Sequence, residues 1–186
     1  MARRPKGDAP VAAAKTSHYN WQGILPVAEE DRALLETPRK YTLVAGAAEG
    51  GSRLNAFDHA LLASGIGNLN LVRVSSILPP YAVEVDHLDI PPGALTPTAY
   101  GTITSEMEGE IISAAIGVGV GETHQYGIIM EFSGRCSGSE AEERVRAMVE
   151  EAFKTRERRL ERLLVRVVEH RVRRIGCAFA AVALWY

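Results

Sequence analysis

Residues 68–80 read Asn-Leu-Asn-Leu-Val-Arg-Val-Ser-Ser-Ile-Leu-Pro-Pro, and they constrain the fold more than any other stretch. Leu69, Leu71 and Arg73 alternate with Asn70, Val72 and Val74, which predicts a two-faced strand over residues 68–74. The strand runs straight into Ser75 and Ser76, and Pro79 and Pro80 then stop it. By local pattern alone this is an ordinary strand end followed by a turn. It also admits a chemistry. A serine hydroxyl can attack the carbonyl just before it when the backbone is held under strain, turning the peptide bond into an ester. Elimination from that ester leaves a dehydroalanine at Ser76, whose tautomer hydrolyses to a pyruvoyl group on a new N-terminus. Such a group is a ketone built from the chain itself.

Upstream, residues 27–36 suit a short helical turn ended before Pro38, since the residue before a proline is pushed out of the helical region. Residues 41–45 form a compact apolar run typical of a buried strand, and they open into the glycine-rich residues 46–52. No Gly-Lys-Ser or Gly-Lys-Thr follows, and GxGxxG spacing is absent, so this is not a phosphate-binding loop. Asn55 can cap a helix over residues 56–62, with Phe57, Leu61 and Leu62 inward and Gly65 as a left-handed stop. Asp58 falls in the first turn, where the helix dipole favours a carboxylate.

After the prolines, residues 81–88 suit an edge segment, and strands are predicted over 98–105, 110–120 and 126–132. Glu131 lies in the last of these among apolar neighbours. Burial there would favour its protonated form, whereas a solvent-facing strand end would leave it an ordinary carboxylate. Ser139 and Glu142 have capping-box spacing and predict a long helix reaching about residue 160, its arginines forming a solvated face. Residues 164–172 and 176–184 read as two more strands. Consecutive strands without regular strand-helix alternation give an α+β class with a mostly antiparallel or mixed sheet.

Composition removes several functions. A net charge of -2 argues against a nucleic-acid partner, and no apolar run approaches the roughly 18 residues of a membrane span. Cys136 and Cys177 lack CxxC spacing and read as free thiols, and the five histidines form no HxxH or HExxH pair, so no metal site is expected. No apolar secretion segment stands at the start, which points to a cytoplasmic protein with residues 1–22 as a flexible extension and 23–186 as one domain.

Several ordered segments together carry a family resemblance. Residues 54–58 (Leu-Asn-Ala-Phe-Asp), 65–71 (Gly-Ile-Gly-Asn-Leu-Asn-Leu) and 75–80 (Ser-Ser-Ile-Leu-Pro-Pro) resemble the pyruvoyl-dependent arginine decarboxylases. So do residues 97–101, 129–131, 134–137 and 176–181, and the likeness spans about residues 41–186. The resemblance implies an α/β/β/α layered sandwich, made as a precursor that cuts itself between Ser75 and Ser76 into a small chain 1–75 and a large chain 76–186. It implies a covalently bound pyruvoyl group derived from Ser76, without PLP or metal, and a homotrimer with active sites between subunits. By the same resemblance Glu131 returns a proton to the substrate, Asp58 meets the substrate guanidinium and Asn70 assists self-cleavage. The implied reaction is decarboxylation of L-arginine to agmatine and carbon dioxide. The alternatives are a pyruvoyl-dependent decarboxylase of another amino acid and an uncleaved, noncatalytic paralogue that binds a guanidino ligand.

Overall fold

The computed structural model describes residues 36–122 and 124–186. The expected extension over residues 1–22, residues 23–35 of the expected domain, and all but the last residue of the expected helical turn over 27–36 lie outside the described residues. Nine strands and two helices follow in the order β1 (Lys40–Glu49), α1 (Arg53–Ala63), β2 (Asn70–Arg73), β3 (Ile77–Leu78), β4 (Val83–Glu84), β5 (Leu95–Ser105), β6 (Ile111–Val120), β7 (Gly127–Gly134), α2 (Gly138–Thr155), β8 (Arg162–Arg171) and β9 (Gly176–Trp185) among the described residues.

The strands make two sheets, one ordered β2-β5-β9-β1-β4 and the other β3-β7-β6-β8. β1 with β4 and β2 with β5 pair in parallel, while the other ladders among the described residues, β9 against β1 and β5 included, are antiparallel. The mixed, mostly antiparallel α+β class read from the sequence is therefore observed.

Alternation within the central strands explains the layering. Ala178, Ala180, Val182 and Leu184 of β9 meet Ile112, Ala114, Ile116 and Val118 of β6 between the sheets. The intervening Cys177, Phe179 and Ala181 turn outward and pack under Ala56, Ala60 and Leu61 of α1. On the far side, Ala141, Val145, Val149 and Phe153 of α2 cover the outer face of β6 and β7. The order of layers is helix, sheet, sheet, helix. Strands buried on both faces lose polar alternation, which is why residues 176–184 read as a continuous apolar run.

Four local expectations are corrected. The glycine-rich loop at residues 46–52 is mostly strand, since β1 continues to Glu49. A Cβ on Gly46 would lie 2.5 Å from the Ala60 carbonyl oxygen and the Ser64 nitrogen, so that glycine serves the close approach of α1 to β1. The α1 cap is Ser52, three residues before the expected Asn55, and its side chain accepts the Asn55 N–H at 3.2 Å. Gly65 does take the left-handed conformation beyond the helix, at φ 86°. The capping box of α2 is formed by Ser137 and Glu140, one of two overlapping Ser-x-x-Glu matches, and not by Ser139 and Glu142. That helix stops at Thr155, short of residue 160, because Glu157 turns to φ 52° and Leu160 folds back against the Phe153 cluster.

Candidate active site

The serine pair is the place where the chain changes sheets. β2 pairs with β5 from Asn70 opposite Leu95 to Arg73 opposite Thr98, and the Val74 N–H still reaches the Thr98 carbonyl at 3.2 Å. Three residues later β3 has joined the other sheet, with Ile77 opposite Ile128 and Leu78 opposite Gly127. Ser75 and Ser76 span this crossing. The Ser76 carbonyl accepts the Ile129 N–H at 2.9 Å, which pins the far side of the crossing.

Ser76 has φ 69°, the left-handed region that a residue with a Cβ rarely enters. That conformation costs a serine on the order of 1 kcal/mol, and the ladders on both sides hold it there. Its hydroxyl donates to the Glu131 carboxylate, Oγ to Oε2, at 3.0 Å. Glu131 stands opposite Ile116 in the β6–β7 ladder, two residues on from the buried Ile129. Its side chain is 24% exposed, and Oε1 lies 3.5 Å from Nη2 of Arg73. Of the two surroundings the sequence left open for Glu131, neither is what forms: a hydroxyl and a guanidinium meet its two oxygens. Gly101 of β5 gives the strands room, since a Cβ there would come within 3.1 Å of the Phe132 carbonyl and 3.4 Å of the Glu131 Cβ.

Asp58 and Asn70 make no hydrogen bond to this pair among the described residues. Asp58 is exposed on α1, the outer layer over the five-stranded sheet. Asn70 opens β2, and its side-chain amide donates to the Gly93 carbonyl at 2.7 Å and not to the carbonyl before Ser76. Arg73 was not singled out by sequence reasoning as a functional residue. The available signal was a lone charge in an alternating strand, two residues before the serine pair.

A second carboxylate, also missed in the sequence, sits at the end of β1. Glu49 accepts the backbone N–H groups of Arg173, Arg174 and Ile175 at 2.9, 2.9 and 3.0 Å, and its Oε1 lies 2.6 Å from Nε2 of His170. Burial works against its ionisation, but the Arg173 amide, the His170 ring and the Arg174 amide outweigh that and lower the carboxyl to about 2. A Cβ on Gly176 would lie 2.7 Å from the His170 ring and 3.0 Å from Glu49 Oε1, so the turn after β8 closes only around a glycine. Glu110 is likewise held below its ordinary value, by the Ser105 hydroxyl and by Arg135 at 2.9 Å. These two carboxylates are anchored anions.

The family model for pyruvoyl-dependent arginine decarboxylase matches residues 40–186. Curated relatives with that same description align over most of their length. The one from Methanocaldococcus jannaschii is 52% identical over 155 residues, covering 83% of this chain and 94% of the relative. Those from Methanococcus maripaludis and Pyrococcus abyssi are 47% and 48% identical over 152 residues, covering 81% and 80% of this chain and 93% and 96% of the relatives.

Proposed function

The chain belongs to the pyruvoyl-dependent arginine decarboxylase family, and from that premise we propose that it cuts itself between Ser75 and Ser76 and decarboxylates arginine with the group formed from Ser76. The enzyme is a carboxy-lyase whose products from arginine are agmatine and carbon dioxide. The single observation that carries the site assignment is the left-handed Ser76 with its hydroxyl 3.0 Å from the Glu131 carboxylate.

The residues suit the first step. Glu131 accepts the hydroxyl proton as Oγ bonds to the Ser75 carbonyl carbon; the bond from that carbon to the Ser76 nitrogen breaks, and the nitrogen takes up a proton. Relief of the left-handed backbone favours the same direction. Elimination then releases residue 75 as a carboxylate, and hydrolysis of the dehydroalanine tautomer frees ammonia. In the mature enzyme the pyruvoyl group supplies a carbonyl that accepts the electrons released when a carboxylate leaves. Glu131 is then placed to return a proton to the substrate α-carbon, so one carboxyl serves both stages. Asp58 binds the substrate guanidinium, whose paired donors match two carboxylate oxygens and favour a long cationic side chain. Asn70 assists self-cleavage by positioning the segment that carries the serines.

Asp58 is exposed on α1, an outer layer, and meets neither Ser76 nor Glu131 through a hydrogen bond among the described residues, which supports a site completed between subunits of a homotrimer. The proposal also makes the enzyme cytoplasmic, independent of PLP and metal, and without nucleic-acid or membrane partners. Among the described residues no helix is long and apolar enough to cross a membrane. Denaturing mass spectrometry of the purified protein tests the cut: two fragments meeting between Ser75 and Ser76 are expected, and Ser76→Ala should remain a single chain without decarboxylase activity. An intact, active wild-type chain would overturn the assignment.

A further inference from the structure

We propose that Arg73 is a positioning residue of the processing site, holding the Glu131 carboxylate against Ser76 and, after the cut, tying the end of the small chain to the large one. The proposal rests on Ser76 being the residue converted.

Arg73 is the last residue of β2, while β5 runs on as far as Ser105. Past the end of the β2 ladder the Tyr100 carbonyl has lost its strand neighbour, and the Arg73 guanidinium takes that place, donating to it from Nη2 at 3.1 Å. The same guanidinium stacks on the Tyr100 ring, 4.8 Å from its centroid, and that ring lies 5.5 Å from the ring of Phe179. The cation is thereby fixed by a carbonyl and an aromatic face before it meets Glu131. A terminal carboxyl torsion is broad, so one hydroxyl contact does not set its plane. With Oε1 held 3.5 Å from Arg73, Oε2 is left to face the Ser76 hydroxyl.

The pair is not built for stability. The Arg73 side chain is 58% exposed, and ion pairs this open contribute little to folding. Its placement matters instead for what happens at the cut. Arg73 falls in the small chain and Glu131 and Tyr100 in the large one, so cleavage removes the covalent link and leaves the ion pair and the Tyr100 contacts at the very end of the small chain, beyond the β2–β5 ladder. A guanidinium stays charged at any working pH, which suits it to keep an anion oriented before and after processing.

The test compares freshly purified wild type, Arg73→Met and Arg73→Lys, following release of residues 76–186 by denaturing mass spectrometry with and without added methylguanidinium. Arg73→Met should cut at least about tenfold more slowly. Its cleaved fraction should lose about tenfold in kcat with KM within about threefold. Its thermal midpoint should stay within about 2 °C of wild type. Arg73→Lys should retain part of the cleavage rate, and methylguanidinium should restore part of it to Arg73→Met without involving the substrate site. Cleavage and turnover by Arg73→Met at wild-type rates would overturn the role of Arg73 alone. So would a loss that follows a lowered thermal midpoint and ignores methylguanidinium. An intact wild-type chain would overturn the Ser76 assignment and this proposal with it.

Discussion

Two carboxylates cross the space between the sheets in opposite directions. Glu49 leaves the five-stranded sheet to meet His170 on β8 of the other, and Glu131 leaves the four-stranded sheet to meet Arg73 on β2. Their exposure is nearly the same, 28% and 24% of the side chain. What differs is the donors. Glu49 takes three backbone N–H groups in addition to its side-chain partner, all from the turn that joins β8 to β9. Glu131 has side-chain partners only, and one of them is the hydroxyl of Ser76, the residue proposed to react. Backbone donors cannot move without unfolding the turn, so they fix an anion. A hydroxyl and a guanidinium sit on side chains that can turn, so they orient a carboxyl without building it into a turn of the backbone. The contrast teaches that the type of donor, more than burial, distinguishes the anchored Glu49 from the carboxylate proposed to do chemistry.

The largest expected effect breaks the pair apart by function. Glu131→Gln should reduce arginine turnover by about a hundredfold or more and slow self-cleavage, while leaving the urea midpoint close to wild type. Glu49→Gln should do the reverse, lowering stability while the folded, cleaved enzyme turns over normally. Steady-state assay normalised to the pyruvoyl-bearing fraction, beside urea denaturation, reads both variants. If Glu49→Gln lost turnover as severely as Glu131→Gln, the division between an anchored and a reactive carboxylate would collapse.

Much of the frame behind this contrast was legible in the sequence. The apolar run at residues 176–184 reads as a thoroughly buried strand, and it proves to be the centre of the five-stranded sheet. The alternation through residues 68–74 located the strand that delivers the serines. Glycine patterns were harder to read, because Gly46 answers to residues 60–64 of the helix packed on it and Gly176 answers to Glu49 at the far end of another strand as well as to His170. The same limit hid Arg73 and Glu49. An arginine that caps a carbonyl left free where its own strand ends, and a glutamate that closes a turn 124 residues on, are consequences of topology and have no local pattern. Glu131 was visible as a charge amid apolar residues, but its actual neighbours come from β2 and from the crossing between sheets.

An acid titration sharpens the Glu49 half of the comparison. Its carboxyl is lowered from the ordinary 4.5 to about 2 in the folded protein. As pH falls, the unfolded chain therefore binds this proton first, and each step below the ordinary value favours unfolding. The contribution is complete above about pH 5 and drains away as the pH approaches 2, with a size on the order of 1–2 kcal/mol after discounting for the solvent the side chain still meets. Urea midpoints measured between these limits should fall more steeply for wild type than for Glu49→Gln, which has no proton to gain. Parallel pH dependence in the two proteins would remove Glu49 as an anchored anion.

The smallest effect asks which of the Glu49 donors does the anchoring. His170→Leu removes the 2.6 Å contact and leaves the three amides of residues 173–175 in place. A lost hydrogen bond to a carboxylate that keeps its other donors costs about 1 kcal/mol, less than removal of the charge itself. The variant should therefore be slightly less stable in urea at neutral pH, retain most of the acid sensitivity of wild type, and turn over arginine at the wild-type rate. The retained acid sensitivity is the decisive reading, because it separates the amides from the imidazole. Should His170→Leu flatten the pH dependence as fully as Glu49→Gln, the imidazole would be the anchor, and Glu49 would depend on a side-chain partner just as Glu131 depends on Arg73.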